Sequence, residues 1–118
     1  MAKSHFHKER HENLKRELNR ILPRLIDGYK PEKVIVFGSF AQGTTREWSD
    51  LDIAIIKETN VRFIDRLKIV ARLSGYKLAT DFLVYTPFEF AEMAKNNYFV
   101  RDEIIQKGKV LYDKIQTH

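Results

Sequence analysis

The chain has 118 residues, of which 43% are hydrophobic and 31% charged, and its formal net charge is +5. These values are typical of one folded domain with a single core, and we interpret residues 1–118 as that domain. The absence of cysteine excludes disulfide bonds and thiolate metal sites. No apolar run reaches the length of a membrane span, and the basic N-terminus lacks the apolar centre of a secretory signal, so we expect a cytoplasmic protein.

The first predicted element is an amphipathic helix over residues 9–27, where apolar residues recur at helical spacing. We expect Pro23 to bend or split this helix and Gly28 to end it. Residues 1–8 are polar and are predicted to be disordered. Three histidines lie in this region, and a basic terminus is a better interpretation of them than a metal cluster: His5, His7 and His11.

The next element is a strand over residues 33–37, which Gly38 and Ser39 follow directly. A glycine after a strand allows a sharp turn and a close approach of the backbone to a ligand. Ser39 is a good N-cap for a short helix over residues 39–42, whose free N–H groups attract anions, and we assign both residues to a phosphate site. Gly43 is expected to end the helix in a left-handed conformation.

A second strand is predicted over residues 51–57, and Asp50 and Asp52 lie at its start. Residues two apart on a strand point the same way, so the two carboxylates project together. A proton or a cation relieves their repulsion, and a few oxygen ligands suit Mg²⁺ better than zinc. Each motif alone is an ordinary turn or strand start, but together they indicate a phosphate pocket beside a metal site.

Helices and strands alternate along the rest of the chain. We predict a helix over 61–74 ended by Gly75, a strand over 78–85, a helix opened by a Thr86 capping box and running to about residue 95, a helix over 99–107 ended by Gly108, and a short strand over 110–112. This alternation predicts an α/β domain, with helices packed on a small sheet of three main strands and a short fourth.

The Gly-Ser turn, the gap of about ten residues and the Asp-x-Asp pair resemble the signature of nucleotidyltransferases with a DNA polymerase β-like palm. From about residue 33 to residue 110 the chain is similar to the minimal nucleotidyltransferases of that superfamily. The resemblance implies a mixed palm-like sheet and a third carboxylate on a later strand, for which Asp81 is the candidate and an ordinary turn residue the alternative. It also implies that two Mg²⁺ ions are held by Asp50, Asp52 and Asp81, that ATP is the substrate, and that an acceptor hydroxyl attacks the α-phosphate and releases pyrophosphate.

One position departs from the family pattern, because many relatives have a basic residue where this chain has Gln42. Arg46 is a candidate for the missing cation, since a guanidinium suits phosphate oxygens, and a solvated loop residue is the equal alternative. We assign Arg46 to the nucleotide site together with Ser49, which caps or orients the aspartate loop. Trp48 is interpreted as packing within the loop, with a lid or a base-stacking surface as the alternatives.

A chain of this size leaves no room for a separate acceptor-binding domain, so a partner protein, or a second copy of the chain, is expected to complete the site. Minimal nucleotidyltransferases of this kind often accompany a helical ribonuclease toxin of the HEPN family. The resemblance implies a type VII-like antitoxin that transfers AMP from ATP to a tyrosine hydroxyl of that toxin. The first helix and residues 96–99 are candidate contact surfaces.

Two alternatives remain open, namely a transferase for a small cationic alcohol such as an aminoglycoside and a catalytically silent antitoxin that acts by binding. The basic charge is concentrated in the first thirty residues, where no aromatic stacking pattern accompanies it, so direct binding of nucleic acid is not expected. The basic residues of this region are Lys3, Lys8, Arg10, Lys15, Arg16, Arg20, Arg24 and Lys30.

Overall fold

The structure is a computed structural model that describes residues 2–116, with the side chains of residues 7–115; Met1, part of the segment predicted to be disordered, lies outside the described residues. In chain order the elements are α1 (Ala2–Tyr29), β1 (Lys33–Phe37), α2 (Gly38–Gln42), β2 (Leu51–Ile56), α3 (Phe63–Ser74), β3 (Thr80–Tyr85), α4 (Pro87–Asn96), a π-helix (Phe99–Gln106), β4 (Lys109–Asp113) and a 3₁₀ turn (Lys114–Gln116).

The four strands form one mixed sheet in the order β3-β2-β1-β4. β1 is antiparallel to β2 and to β4, whereas β2 and β3 are parallel and are joined by α3. A parallel pair requires a crossover of this kind, and α3 supplies it. The predicted α/β class is confirmed, with three main strands and a fourth at the edge of the sheet.

Helices cover both faces of the sheet, because successive strand residues point to opposite sides. On one face, Ile21 of α1 and Val70 of α3 pack against a core that includes Val36. On the other face, Ile104 of the π-helix packs with Ala54 of β2, and α4 contributes partly buried side chains. None of the helices in the described part of the chain combines the length and the apolarity that a membrane span requires.

α1 is longer than the predicted helix. It begins at Ala2, so residues 2–8, a segment predicted to be disordered, lie in the helix. It also continues through Pro23 without a break, so the predicted split is absent. A proline removes one backbone hydrogen bond, but Ile21 and Leu25 on either side are fully buried against the sheet, and their burial outweighs that loss.

The end of α1 also differs from the prediction. Gly28 does not end the helix, which continues to Tyr29 and is followed by Lys30 in the left-handed conformation, with φ of 54°. Gly28 lies in the last turn, where a Cβ atom would lie 3.3 Å from Leu73 of α3. The glycine at this position therefore allows α1 and α3 to approach each other.

Several boundaries differ by one or two residues from the predicted ones, among them the end of β2 at Ile56, the start of α3 at Phe63 and the start of β3 at Thr80. The late start of β3 has a visible cause. The carboxylate of Glu17 in α1 accepts hydrogen bonds from the backbone N–H groups of Lys77 and Leu78. This short segment is therefore held by a side chain of α1 and joins the strand ladder only afterwards.

The elements after β3 are close to the prediction, with one change of helix type. Thr86 and Glu89 form the predicted capping box at the start of α4, with hydrogen bonds of 2.8 and 3.1 Å. The last helix is a π-helix, at whose end the N–H of Lys107 donates to the carbonyl of Asp102. A single turn or two of π-helix has no distinct apolar spacing, so the sequence pattern does not separate it from an α-helix.

Candidate active site

The turn between β1 and α2 brings Gly38 against Asp52. Gly38 has φ of 80°, a left-handed conformation that favours glycine. A Cβ atom at this position would collide with the carboxylate of Asp52. Glycine is therefore required here for two separate reasons, and the predicted close approach of the backbone is made to this carboxylate.

Ser39 was expected to be the N-cap of α2, but it lies in the first turn of the helix. The helix begins one residue earlier than predicted, and Phe37 occupies the cap position. The Ser39 hydroxyl donates instead to Ser49 Oγ at 2.9 Å. Ser49 Oγ also accepts from the backbone N–H of Arg46 at 2.8 Å, and the residue is buried. These bonds join the two ends of the segment between the Gly-Ser turn and the aspartates, and Gly43 ends α2 in the predicted left-handed conformation.

Two of the predicted carboxylates are neighbours across the sheet. Asp52 of β2 is in register with Asp81 of β3, and both lie on the face covered by α4 and the π-helix. Burial, together with the negative charges of Asp81 and Asp50, raises the pKa of Asp52 to about 6. A shift of this direction marks an uncompensated cluster of carboxylates, which a bound cation would stabilise.

Asp50 precedes β2, and its carboxylate lies beside α1. Arg10 Nη2 is 3.7 Å from Asp50 Oδ1, and the side chain of Asp50 is 42% exposed. Among residues 7–115, no three histidine, aspartate or glutamate side chains are grouped closely enough to hold a metal ion. The structure thus brings Asp52 and Asp81 together and places Asp50 next to them without closing a three-ligand set.

The donor set nevertheless suits a divalent cation. Asp52 and Asp81 supply oxygen ligands, and neither forms an ion pair with another described residue. The pKa of Asp52 is raised by burial first and by the charges of Asp81 and Asp50 second, so a cation nearby would stabilise its charged form. Hard oxygen ligands without a competing cation are the type of site that Mg²⁺ occupies.

Two residues of α1 that the sequence did not point to contact the segment between α2 and β2. Arg10 Nε donates to the carbonyl oxygen of Ser49 at 2.8 Å. His11 Nδ1 lies 2.7 Å from Thr45 Oγ1, and its ring stacks on Phe40 with the centroids 4.6 Å apart. The excess of basic residues in α1 was the one signal for this contact, but no local spacing connects residue 10 with residue 49.

The assignment of Arg46 to the nucleotide site, as the cation missing at position 42, stays a prediction. Its side chain is exposed and forms no ion pair within the described part of the chain. Its backbone N–H is bonded to Ser49. Trp48 is 71% exposed, so its interpretation as loop packing was wrong.

Aromatic side chains form the wall next to Asp52. Phe37 is the register partner of Asp52 on β1 and is buried on the same face of the sheet. Phe99, at the start of the π-helix, packs edge-on against Phe37 with the centroids 5.7 Å apart and remains 47% exposed. This wall flanks Asp52, and Phe99 together with its sequence neighbour Tyr98, whose ring contacts Arg101, adds exposed aromatic surface at this end of the sheet.

Comparison with known proteins places these features in context. The sequence profile of the family described as polymerase beta, nucleotidyltransferase matches residues 19–117. A protein from Methanocaldococcus jannaschii that carries the name protein adenylyltransferase is 30% identical over 94 residues, which are 80% of this chain and 87% of that protein. A Haemophilus influenzae protein named as the protein adenylyltransferase MntA is 36% identical over 87 residues, which are 70% of this chain and 74% of that protein.

Two solved structures have similar folds. A crystal structure of a nucleotidyltransferase from Sulfolobus solfataricus superposes with a TM-score of 0.68 at 18% identity, covering 94% of this chain and 90% of that one, and shows that the fold is shared. A chain in the crystal structure of a mutant of the toxin–antitoxin pair MntA-HpeT superposes with a TM-score of 0.57 at 25% identity, covering 80% of this chain and 71% of that one.

Proposed function

This chain belongs to the polymerase β nucleotidyltransferase family, and from that premise we propose that it transfers AMP from ATP to a hydroxyl group of a partner protein. The observation that carries the proposal is the pairing of Asp52 with Asp81 directly beside the Gly38 turn. It unites the two elements that nucleotidyl transfer needs, which are carboxylates that hold a cation and a backbone turn with space for phosphates.

In this proposal Asp52 and Asp81, joined by Asp50, would hold two Mg²⁺ ions, which would supply charge neutralisation for the triphosphate and acidify the acceptor hydroxyl. The chain's own residues position the reactants. Gly38, which has no side chain, lets the Asp52 carboxylate lie against the turn, and the bond between Ser39 and Ser49 joins this turn to the loop before Asp50. Phe37 and its neighbours keep water away from one side of the Asp52 carboxylate.

We propose that the acceptor is a tyrosine of a HEPN-family toxin and that the chain is the antitoxin of the pair. Support comes from relatives named as protein adenylyltransferases and from the structural similarity to a chain of a toxin–antitoxin complex. The exposed aromatic surface of Tyr98 and Phe99 lies next to the Asp52 face, where an acceptor would approach.

A catalytically silent antitoxin is the second candidate. Its support is the absence of a closed three-ligand group among the described side chains. A small cationic acceptor has less support, because the relatives are named as protein adenylyltransferases.

The test is the intact mass of the product of the neighbouring gene, expected to be a HEPN-family protein, after incubation with the chain, ATP and Mg²⁺. We expect a gain of one or more AMP units, its loss with Asp52→Asn, and full activity with Asp27→Asn, which removes an exposed carboxylate of α1 far from the site. An unchanged mass in a stable complex would favour the silent antitoxin, and transfer that survives Asp52→Asn would exclude the proposed site.

A further inference from the structure

Consecutive residues of α1 hold both ends of the loop that precedes β2. His11 contacts Thr45 at one end, and Arg10 donates to the Ser49 carbonyl at the other. Thr45 and Ser49 are themselves buried, so these contacts are made within the packed part of the site. The N-terminal half of α1 is therefore a structural component of the site, although it lies far from it in sequence.

The guanidinium of Arg10 has two ends with different partners. Its Nε is fixed by the 2.8 Å bond to the Ser49 carbonyl, whereas its Nη2 faces Asp50 Oδ1 at 3.7 Å. The second distance is that of a loose ion pair, with side-chain exposures of 22% for Arg10 and 42% for Asp50. One end thus anchors the group at the rim of the site, and the other is free to exchange its partner.

Asp50 is the one carboxylate of the predicted three that has a cation beside it within the described residues. A metal ion and the guanidinium compete for this carboxylate, because each is stabilised by the same negative charge. A nucleoside triphosphate favours the metal ion in this competition, since its phosphates are a stronger partner for Arg10 than Asp50 is. The chain also lacks a basic side chain at Gln42, and Arg46 is exposed to solvent.

We propose that Arg10 is a positioning residue that pairs with Asp50 in the free enzyme and releases it to the metal when the nucleotide arrives. Metal and nucleotide then bind cooperatively, because the pair with Arg10 weakens metal binding as long as the nucleotide is absent. This inference rests on the proposed function, because it takes Asp50, Asp52 and Asp81 as the metal ligands. Arg10 acts through Asp50 and through the Ser49 carbonyl, and its phosphate contact forms in the ternary complex.

The test is the affinity of the full chain for Mn²⁺, followed by electron paramagnetic resonance at low ionic strength, with and without a non-hydrolysable ATP analogue. Arg10→Gln is expected to tighten Mn²⁺ binding about threefold without nucleotide, the size expected for a partly exposed ion pair. In the same variant the enhancement of Mn²⁺ binding by the analogue is expected to fall by about tenfold. Arg10→Lys keeps the charge and is expected to remain closer to the wild type in both measurements.

Arg24→Gln is the matched control. Arg24 lies on the same helix, and its Nε donates to the Ser74 carbonyl at 2.9 Å, the same kind of bond at a distance from the site. We expect its Mn²⁺ affinity to equal that of the wild type. Mn²⁺ binding that is unchanged or weaker in Arg10→Gln would overturn the inference, because Arg10 would then only support the loop. Mn²⁺ binding that survives Asp52→Asn would instead overturn the proposed function.

Discussion

At the residue scale, the position of the Asp52 carboxylate determines which residue can stand at position 38. The carboxylate of Asp52 occupies the space into which any side chain at position 38 would project. The same carboxylate is partly buried beside Asp81, and its pKa is raised to about 6 by burial first and by neighbouring negative charges second. The site therefore depends on a glycine without a side chain and on an acid whose charge is uncompensated.

We predict that Gly38→Ala abolishes nucleotidyl transfer, because the methyl group displaces the Asp52 carboxylate. Gly43→Ala is the matched control, since Gly43 has a similar φ of 74° but no atom within 4 Å of its Cβ position. Both variants are expected to lose about 1 kcal/mol of stability from the left-handed backbone. Thermal unfolding measures this shared loss, and transfer rates measure the difference. Equal activity of the two variants would contradict the steric role of Gly38.

The raised pKa of Asp52 predicts a pH-dependent stability. Its ordinary value is 3.8 and its folded value about 6, so between these pH values the folded chain holds more protons than the unfolded chain. The free energy of unfolding therefore falls as pH rises across this window, and the penalty is complete above pH 6.

Asp52→Asn removes the ionisable group and is expected to be more stable than the wild type above pH 6, by about 3 kcal/mol at most and less with solvent screening. Below pH 4 the two proteins are expected to be equally stable. Urea unfolding in the presence of a chelator measures this, with Asp27→Asn as the control. A stability difference that does not change with pH would contradict the assignment.

At the scale of elements, α1 contacts the two segments that precede the parallel strands β2 and β3. Its N-terminal half contacts the loop before β2 through Arg10 and His11. Further along, the buried carboxylate of Glu17 accepts from two backbone N–H groups before β3, while Arg20 donates to the Gly75 carbonyl. From its amphipathic pattern, α1 was predicted to cover the core. The contacts show that it also positions the starts of both strands that carry the aspartates.

We predict that Glu17→Ala destabilises the fold by about 2–3 kcal/mol, because it leaves two N–H groups of the segment before β3 without their acceptor. Burial raises the pKa of Glu17, but hydrogen bonds from Leu78, Lys77 and Arg20 lower it by more, so the net shift is downward. The stabilisation is accordingly present at neutral pH and is lost as the pH falls through the lowered pKa. Urea unfolding at pH 7 and pH 3 tests both statements.

Glu12→Ala is the control for this experiment, since Glu12 is an exposed carboxylate on the same helix. We expect it to change stability by less than about 0.5 kcal/mol. A loss of stability in Glu12→Ala as large as that in Glu17→Ala would show that the effect comes from helix charge and not from the contacts before β3.

At the scale of the whole molecule, the features that could be predicted from sequence are those that depend on residues close to each other in the chain. The strands depend on local apolar patterns, and the three main strands and the short fourth were predicted correctly. The place of Asp81 beside Asp52 depends on the parallel pairing of β2 and β3, so the sequence pattern did not indicate it and Asp81 was a candidate through the family resemblance alone. The contact of Arg10 with Ser49 joins residues 39 positions apart on different elements, so no local pattern indicated it. The continuity of α1 through Pro23 depends on burial, which propensity alone does not express.

The arrangement of the strands and helices also indicates at which end of the sheet a partner is expected to dock. Asp52 and Asp81 lie at the start of β2 and β3, and the chain returns to that end of the sheet after α4, where Phe99 packs against Phe37. Tyr98 is 74% exposed there, whereas Phe88 is equally exposed on α4 at the other end of β3, in a cleft of about 470 Å³ with Phe63 and Tyr85. An acceptor hydroxyl has to reach the aspartates, so the partner is expected to cover the end that carries Tyr98.

We predict that Tyr98→Ala weakens binding of the HEPN-family partner by about tenfold, the effect of removing an exposed aromatic anchor at an interface. Phe88→Ala removes an aromatic ring of the same 74% exposure from the opposite end and is expected to leave the affinity unchanged. Isothermal titration calorimetry compares the two variants with the wild type. A greater loss with Phe88→Ala would place the partner on the α4 cleft. The surface bound there would be too far from Asp52 and Asp81 to supply the modified hydroxyl. The acceptor would then have to lie on an extended segment of the partner.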